Sequence, residues 1–298
     1  MNTRRRTKAN ILLLITACIW GFGFVAQRFG AMLVPPFTFN GFRFAIGALS
    51  LVPLLLYKKK KGKMEGNGSR KDLMVGGTLA GLSIFIAAWL QQAGLATTDP
   101  GKAAFLTVCY IVLVPIFGVF LKNKVSGSNW IAVILAIIGL YLLCVKSGTG
   151  GIAGIRRGDF LELAGAVFWA TQILIVDKYV DKVDSIALSF VQFVVCSILC
   201  FAIGLPLETV AEGAITAAII PILYGGLGSV GIAYTLQTVA QKDAIPSHAA
   251  LILGSETLFG TLGGIIFFHE NLGGKGYLGC AFIVVGVLIS ILKSGEKS

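Results

Sequence analysis

Charge is what this chain has least of. Only 13% of its 298 residues are Asp, Glu, Lys or Arg, about half the ~25% of a soluble domain, too little to cover a water-facing surface. With 56% hydrophobic residues, the sequence is that of an integral membrane protein. Histidine is scarcer still: His248 and His269 are the two, and neither has a triad or a set of metal ligands around it. His269-Glu270 lacks the second histidine four residues on that a metalloprotease helix needs, and Gly228-Ser229 lacks the spacing of a nucleophile elbow. No catalytic residue, metal site or cofactor is therefore expected, which argues against an enzyme. All six cysteines (Cys18, Cys109, Cys144, Cys196, Cys200, Cys280) fall in apolar runs, and no disulfide framework or zinc pattern is legible. A channel-type filter sequence is missing. So are the soluble partner domain or long shaped loops expected of a non-transporting membrane receptor or scaffold, the alternative reading of function.

What is abundant is apolar sequence in runs of about 20 residues, the length that crosses a bilayer. Ten are placed, near 10–30, 37–57, 72–95, 101–121, 127–146, 159–180, 184–205, 213–240, 246–267 and 273–292. The net charge of +11 does not mark a nucleic-acid protein, because the basic residues are not gathered on one face. They collect on alternate connections: Arg4 to Lys8, Lys58 to Lys71, Lys122 and Lys124, Lys178 and Lys182, Lys242, Lys293 and Lys297. The other side carries only Arg28, Lys102, Lys146, Arg156, Arg157 and Lys275. By the positive-inside rule both termini are cytoplasmic. Ile15-Thr16-Ala17-Cys18 resembles a lipoprotein cleavage site, but the first run has a partner later in the chain and reads as a retained helix.

That partnership extends throughout. Ala17-Cys18-Ile19-Trp20 returns as Ala166-Val167-Phe168-Trp169, Arg43-Phe44 as Gln192-Phe193, and Leu90-Gln91 as Leu236-Gln237, at offsets drifting from 149 to 146 residues. The expected architecture is an all-α membrane protein of ten transmembrane helices, residues 1–147 and 158–298, joined by a glycine-rich linker at 148–157. Five helices per copy is an odd number, so the copies enter the membrane with opposite polarity. An inverted repeat is characteristic of secondary transporters that rock one half against the other around a midplane site. The longest connection, Lys58 to Lys71 with Gly66-Asn67-Gly68-Ser69, is expected to be disordered and solvated. Glycines inside the runs mark close helix contacts, and Pro115 and Pro221 mark possible kinks.

Polar residues within the spans carry the functional information, since a central charge costs about 2.5–3.5 kcal/mol on insertion scales. Glu256 shares a face with Ala249, Leu253, Gly260 and Gly263, which reads as inward-facing; it is a candidate proton carrier, cation contact or helix anchor. Glu162 lies near the mouth of the sixth span, on a face with Trp169 and Gln172, and is expected to be hydrated. Arg43 pairs with a glutamate, snorkels outward, or holds a substrate carboxylate, with structural pairing ranked first. Trp20, Trp169, Tyr110 and Tyr224 are expected to shape a cavity in which Gln27, Gln91, Gln172, Gln237 and Thr107 orient a solute. A lining that is polar but mostly uncharged suits small metabolites better than a bare ion.

In these residues the chain resembles an EamA-type member of the drug/metabolite transporter superfamily. The resemblance is carried by Trp20-Gly21, Arg43-Phe44, Gly101-Lys102-Ala103-Ala104-Phe105-Leu106 to Pro115, Trp169, Ala233-Tyr234 with Leu236-Gln237, Gly254-Ser255-Glu256-Thr257-Leu258-Phe259 and His269-Glu270-Asn271-Leu272. It implies a carrier of the cytoplasmic membrane with a central cavity, often an exporter of amino acids or other metabolites, and peripheral fifth and tenth helices. Two departures stand out. Thr257 occupies a position commonly proline in the family, and Lys122-Asn123-Lys124 stands where a glutamate often follows the fourth helix. The expected partners are a small-molecule substrate, the bilayer and protons as coupling ion; oligomeric state is not legible.

Overall fold

The computed structural model describes residues 3–121, 126–144, 156–269 and 273–293. Residues 148–155 of the linker expected at 148–157, together with Lys122-Asn123-Lys124, Lys146, Glu270-Asn271-Leu272 and Lys297, lie outside the described residues, and Arg157 of that linker begins a helix. The described chain is helical, with no strand. In order come α1 (Thr3–Ala31), α2 (Pro36–Lys60), α3 (Arg70–Leu95), α4 (Pro100–Val108), α5 (Tyr110–Phe120), α6 (Gly127–Cys144), α7 (Arg157–Val180), α8 (Ser185–Leu207), α9 (Ala214–Ala217) and α10 (Ile219–Leu223). A π-helix (Tyr224–Tyr234), α11 (Thr235–Ala240), α12 (Pro246–Leu253), α13 (Glu256–Phe268) and α14 (Gly273–Lys293) follow. Among the described residues, nine helical stretches are long and apolar enough to cross a membrane, and a shorter apolar stretch, Gly127–Gly139, lies in α6. The protein is a multi-pass membrane protein.

Local chemistry sets the helix starts. Pro36, Pro100 and Pro246 sit in the first turn of α2, α4 and α12, where a missing N–H costs nothing and φ is already helical. Ser69 and Asp72 form a reciprocal cap on α3: the Ser69 hydroxyl accepts from Asp72 N at 3.1 Å, and the Asp72 carboxylate accepts from Ser69 N at 2.9 Å. Asp184 caps α8 by accepting from Ile186 N and Ala187 N.

The same break recurs in both copies. The helix begun by α4 tightens at Cys109, whose N–H bonds back three residues to Leu106. The helix begun by α12 tightens at Ser255, whose N–H bonds back three residues to Ile252. Tyr110 and Glu256 thus begin α5 and α13. The α6–α14 contact is reciprocal as well: a Cβ on Gly139 would sit 2.6 Å from the Gly279 carbonyl oxygen, and one on Gly286 would sit 2.9 Å from the Ala132 carbonyl oxygen. In lipid, where apolar burial gives helices little reason to associate, such close backbone approach supplies the attraction. Leu49, Leu56, Phe120, Leu205, Ile220 and Leu292 are exposed on the outside of the bundle, as lipid contact allows.

Candidate substrate-binding cavity

A cavity between the two copies draws seven lining residues from each: Trp20, Phe24, Gln27, Arg43, Gln91, Thr107 and Tyr110 from the first, and Trp169, Gln172, Ile173, Ser229, Tyr234, Gln237 and Glu256 from the second. No residue of α6 or α14 lines it. Ten of the fourteen are residues that the polar pattern of the spans singles out.

The aromatic wall centres on Tyr234. Trp20 packs against its ring at 4.5 Å between centroids and Trp169 at 6.0 Å, with Phe44 and Phe193 behind it at 6.2 and 5.9 Å. Trp20 is fixed by its indole N–H, which donates to the Ser229 carbonyl at 3.2 Å; Thr16, one turn earlier, donates to the Ala233 carbonyl at 3.2 Å. Both acceptors belong to the π-helix, a widened geometry that recurs at functional sites.

The polar wall is a set of relays. Arg43, fully buried, donates from Nη1 to the Gln27 side chain at 2.8 Å, and its guanidinium carbon stands 5.0 Å from the Phe44 ring centre and 5.8 Å from that of Phe39. Gln91 donates to the Thr107 hydroxyl at 3.2 Å, which donates onward to Glu162 at 2.9 Å. Gln237 donates to Gln172 at 3.1 Å, and Gln172 to Gln192 at 3.3 Å. Tyr110 donates from its hydroxyl to Glu256 at 3.1 Å.

Several placements differ from those the pattern suggests. Arg43 makes no ion pair with Glu256 or Glu162: its Nε and Nη2 have no hydrogen-bond partner. Glu162 is not a hydrated mouth residue but completely buried, reaching the cavity only through Thr107. Tyr224 does not line the cavity; its hydroxyl donates to the Ile19 carbonyl at 2.8 Å. Four lining residues were not anticipated: Phe24, Ile173, Ser229 and Tyr234. Phe24 lies one turn from both Trp20 and Gln27, and Ile173 adjoins Gln172, so both were within reach of helical spacing. Ser229 and Tyr234 were hidden because a π-helix bonds i to i+5, which shifts the inward face from the i, i+4 series of Tyr224 and Gly228. Among the described residues no three His, Cys, Asp or Glu side chains converge to hold a metal ion.

Bonds between the copies lie at both ends of the molecule. At one end Lys102 meets Asp159 at 2.5 Å and Thr98 donates to the same carboxylate at 3.0 Å, while within the first copy Arg28 donates to the Leu95 carbonyl. There Glu208, from the end of α8, also accepts from the backbone of Phe37 and Thr38 at 2.8 and 2.7 Å. At the other end Lys58 meets Asp184 at 2.5 Å, Lys242 meets Glu65 at 2.5 Å, and Glu65 N donates to Asp184 at 3.0 Å. His248 sits beneath them between Asn10 and Ser290, at 2.8 Å from each. The connection between α2 and α3 is thus docked rather than solvated: Gly68 N donates to the Lys182 carbonyl at 2.6 Å.

The sequence profile of the EamA-like transporter family matches residues 7–145 and 156–292, one copy in each half, and the chain belongs to that family. An uncharacterized transporter of Archaeoglobus fulgidus is 30% identical over 295 residues, covering 97% of this chain and 87% of its own length. The uncharacterized transporter YoaV of Bacillus subtilis is 21% identical, with 95% and 96% covered. A solved crystal structure shares the fold, with TM-score 0.71 at 19% identity over 96% of this chain and 97% of that one. The family and the relatives' names mark a membrane transporter and point away from an enzyme.

Proposed function

We propose that the cavity is the solute site of a ten-helix, inverted-repeat secondary transporter that exports small polar metabolites, such as amino acids, across the cytoplasmic membrane by alternating access. The observation that carries this reading is the equal contribution of the two copies to one cavity, with inter-copy bonds at both ends of the molecule. Opening one set at a time would expose the site alternately to each side.

Inversion is supported by the contacts of equivalent helices. α1 begins beside His248 and ends beside Leu95, whereas α7, its counterpart, begins beside Lys102. Further support comes from equivalent positions that touch each other, as residues near a twofold axis do. Phe44 and Phe193 approach at 6.1 Å between ring centres, and Tyr110 bonds Glu256 across 146 residues. The lysine-rich end is the cytoplasmic one by the positive-inside rule, which puts both termini there. Within the cavity Trp20, Trp169 and Tyr110 shape the site, the glutamines orient the solute, and Glu256 couples protons or anchors α13.

The test is counterflow in liposomes reconstituted with the purified protein, across a metabolite library. Saturable exchange of one solute class by wild-type protein, reduced at least about tenfold by Trp20→Ala, is the expected result. Absence of counterflow across the library in folded protein would remove the carrier reading.

A further inference from the structure

We propose that the transported solute carries a carboxylate and that the side edge of the Arg43 guanidinium receives it. The inference deepens the carrier reading and rests on it for the word "transported".

Arg43 is 1% exposed and lines the cavity. It is cationic under all ordinary conditions, yet among the described residues it has no ion pair. The titratable groups that act on it electrostatically are Tyr234, Cys196 and Cys200, none of them a carboxylate. An uncompensated buried charge is strongly unfavourable, so a residue kept in this state is explained by a counter-charge that comes and goes. The guanidinium's other surfaces are occupied. Nη1 donates to Gln27, and the Phe44 and Phe39 rings pack close to the guanidinium carbon. What remains is Nε together with Nη2, both buried and without a partner. These two N–H bonds lie parallel on one side of the guanidinium, the pair that grips two oxygens of one carboxylate.

A second observation points the same way. The Trp169 indole N–H is also buried, lines the same cavity and has no acceptor. The cavity therefore holds three unpartnered donor nitrogens, from Arg43 and Trp169, against one unpartnered acceptor, the Gln237 side-chain oxygen, which asks for a ligand richer in acceptors than in donors. Arg43 is held in place from beneath by the π-helix: a Cβ on Gly225 would stand 3.3 Å from its Cδ, so the stem lies against bare backbone.

The experiment uses full-length protein in nanodiscs and pairs of solutes that differ only at one group: leucine and leucinamide, hexanoate and hexanamide, succinate and succinamide, with phenyl phosphate and inorganic phosphate alongside. Thermal stabilisation by at least one carboxylate, and not by its amide, is expected. Arg43→Lys keeps the charge but loses the bidentate edge, and should weaken binding about tenfold; Arg43→Met should weaken it by more than about 30-fold. Arg43→Met should also raise the Tm of the ligand-free protein by roughly 2–4 °C, because an unpaired buried charge is removed. Equal binding of acid and amide, binding of the phosphates alone, no binding by any acid, or a lower Tm for Arg43→Met would each overturn the proposal. Counterflow of an uncharged solute that Arg43→Met leaves intact would sink the carboxylate and spare the carrier. Acid binding lost in Arg43→Met, with no counterflow of that acid, would do the reverse.

Discussion

Tyr110 and Glu256 begin equivalent half-helices and bond to each other at 3.1 Å, which makes Glu256 a residue whose two proposed roles can be separated chemically. Gln in its place still offers an oxygen to the Tyr110 hydroxyl but has no proton to exchange. The other titratable groups on that cavity are Tyr110, Tyr234 and Arg43, and none of them is altered by the change. We expect Glu256→Gln to fold with a Tm within a few degrees of wild type and to lose the pH dependence of counterflow; an unchanged pH profile would assign Glu256 to anchoring. The importance of Glu256 could be read from the sequence because a carboxylate in an apolar run, on a face of Ala and Gly, has nowhere to go but inward. The surroundings of Glu162 could not. Its depth along α7 suggested a wet mouth, but Thr98 and Lys102 at the start of α4 hold Asp159 and Thr107 covers Glu162 from the side. That packing of one copy's helix on the other's is non-local, and hydropathy along one helix does not contain it.

Helices were legible as elements because the apolar runs have bilayer-crossing length and several carry their own start signal, as Pro36, Ser69, Pro100 and Pro246 illustrate. Connections were less so. The 61–69 segment has the composition of a solvated loop, yet its glycines serve docking: Gly66 has φ of +94°, a region closed to most side chains, and a Cβ on Gly68 would stand 2.6 Å from the Lys182 carbonyl oxygen. Glu65 is thereby placed between Lys58 and Lys242. Its carboxyl is held below the usual carboxylate range by the Lys242 hydrogen bond, despite some burial. For Asp184, burial alone would push the value up, but the hydrogen bonds from Lys58 and from the backbone N–H of Glu65 and Ala187 outweigh it and the carboxyl ends below its ordinary value. Since both folded values are depressed, the contribution to closure is complete above the ordinary carboxylate range near pH 4 and is lost as pH falls through the lower folded values. Pulsed electron–electron distances between spin labels at Lys63 and Asp243 should be short and single at pH 7. Glu65→Gln, or acidification to about pH 3, should add a longer population. A distance distribution indifferent to both would remove the lysine-rich cluster from the gating scheme.

At the scale of the molecule the two copies put different chemistry at the same place. Lys102 pairs with Asp159, and the equivalent positions, displaced by 146 and 149 residues, are His248 and Asn10, which also bond to each other. At this pair of equivalent positions one end therefore carries an ion pair and the other a hydrogen bond between an imidazole and an amide, an asymmetry that lets the membrane's two sides be tuned separately on one repeated frame. On the proposed alternating cycle, Asp159→Asn loosens the Lys102 end. Asn10→Asp places a carboxylate against the His248 imidazole and tightens the other, so both changes should favour the same state, open beside Lys102. An ion pair of this partly exposed kind is worth about 1 kcal/mol, enough to shift a two-state population roughly fivefold. Spin labels at Ala96 and Arg157 should accordingly report a longer distance in either variant, while the Lys63–Asp243 pair stays short. If both pairs lengthened together, the halves would be separating rather than rocking. If Asp159→Asn lengthened the first pair and Asn10→Asp did not, the two ends would not be coupled through one rigid motion, and alternating access by this frame would be wrong.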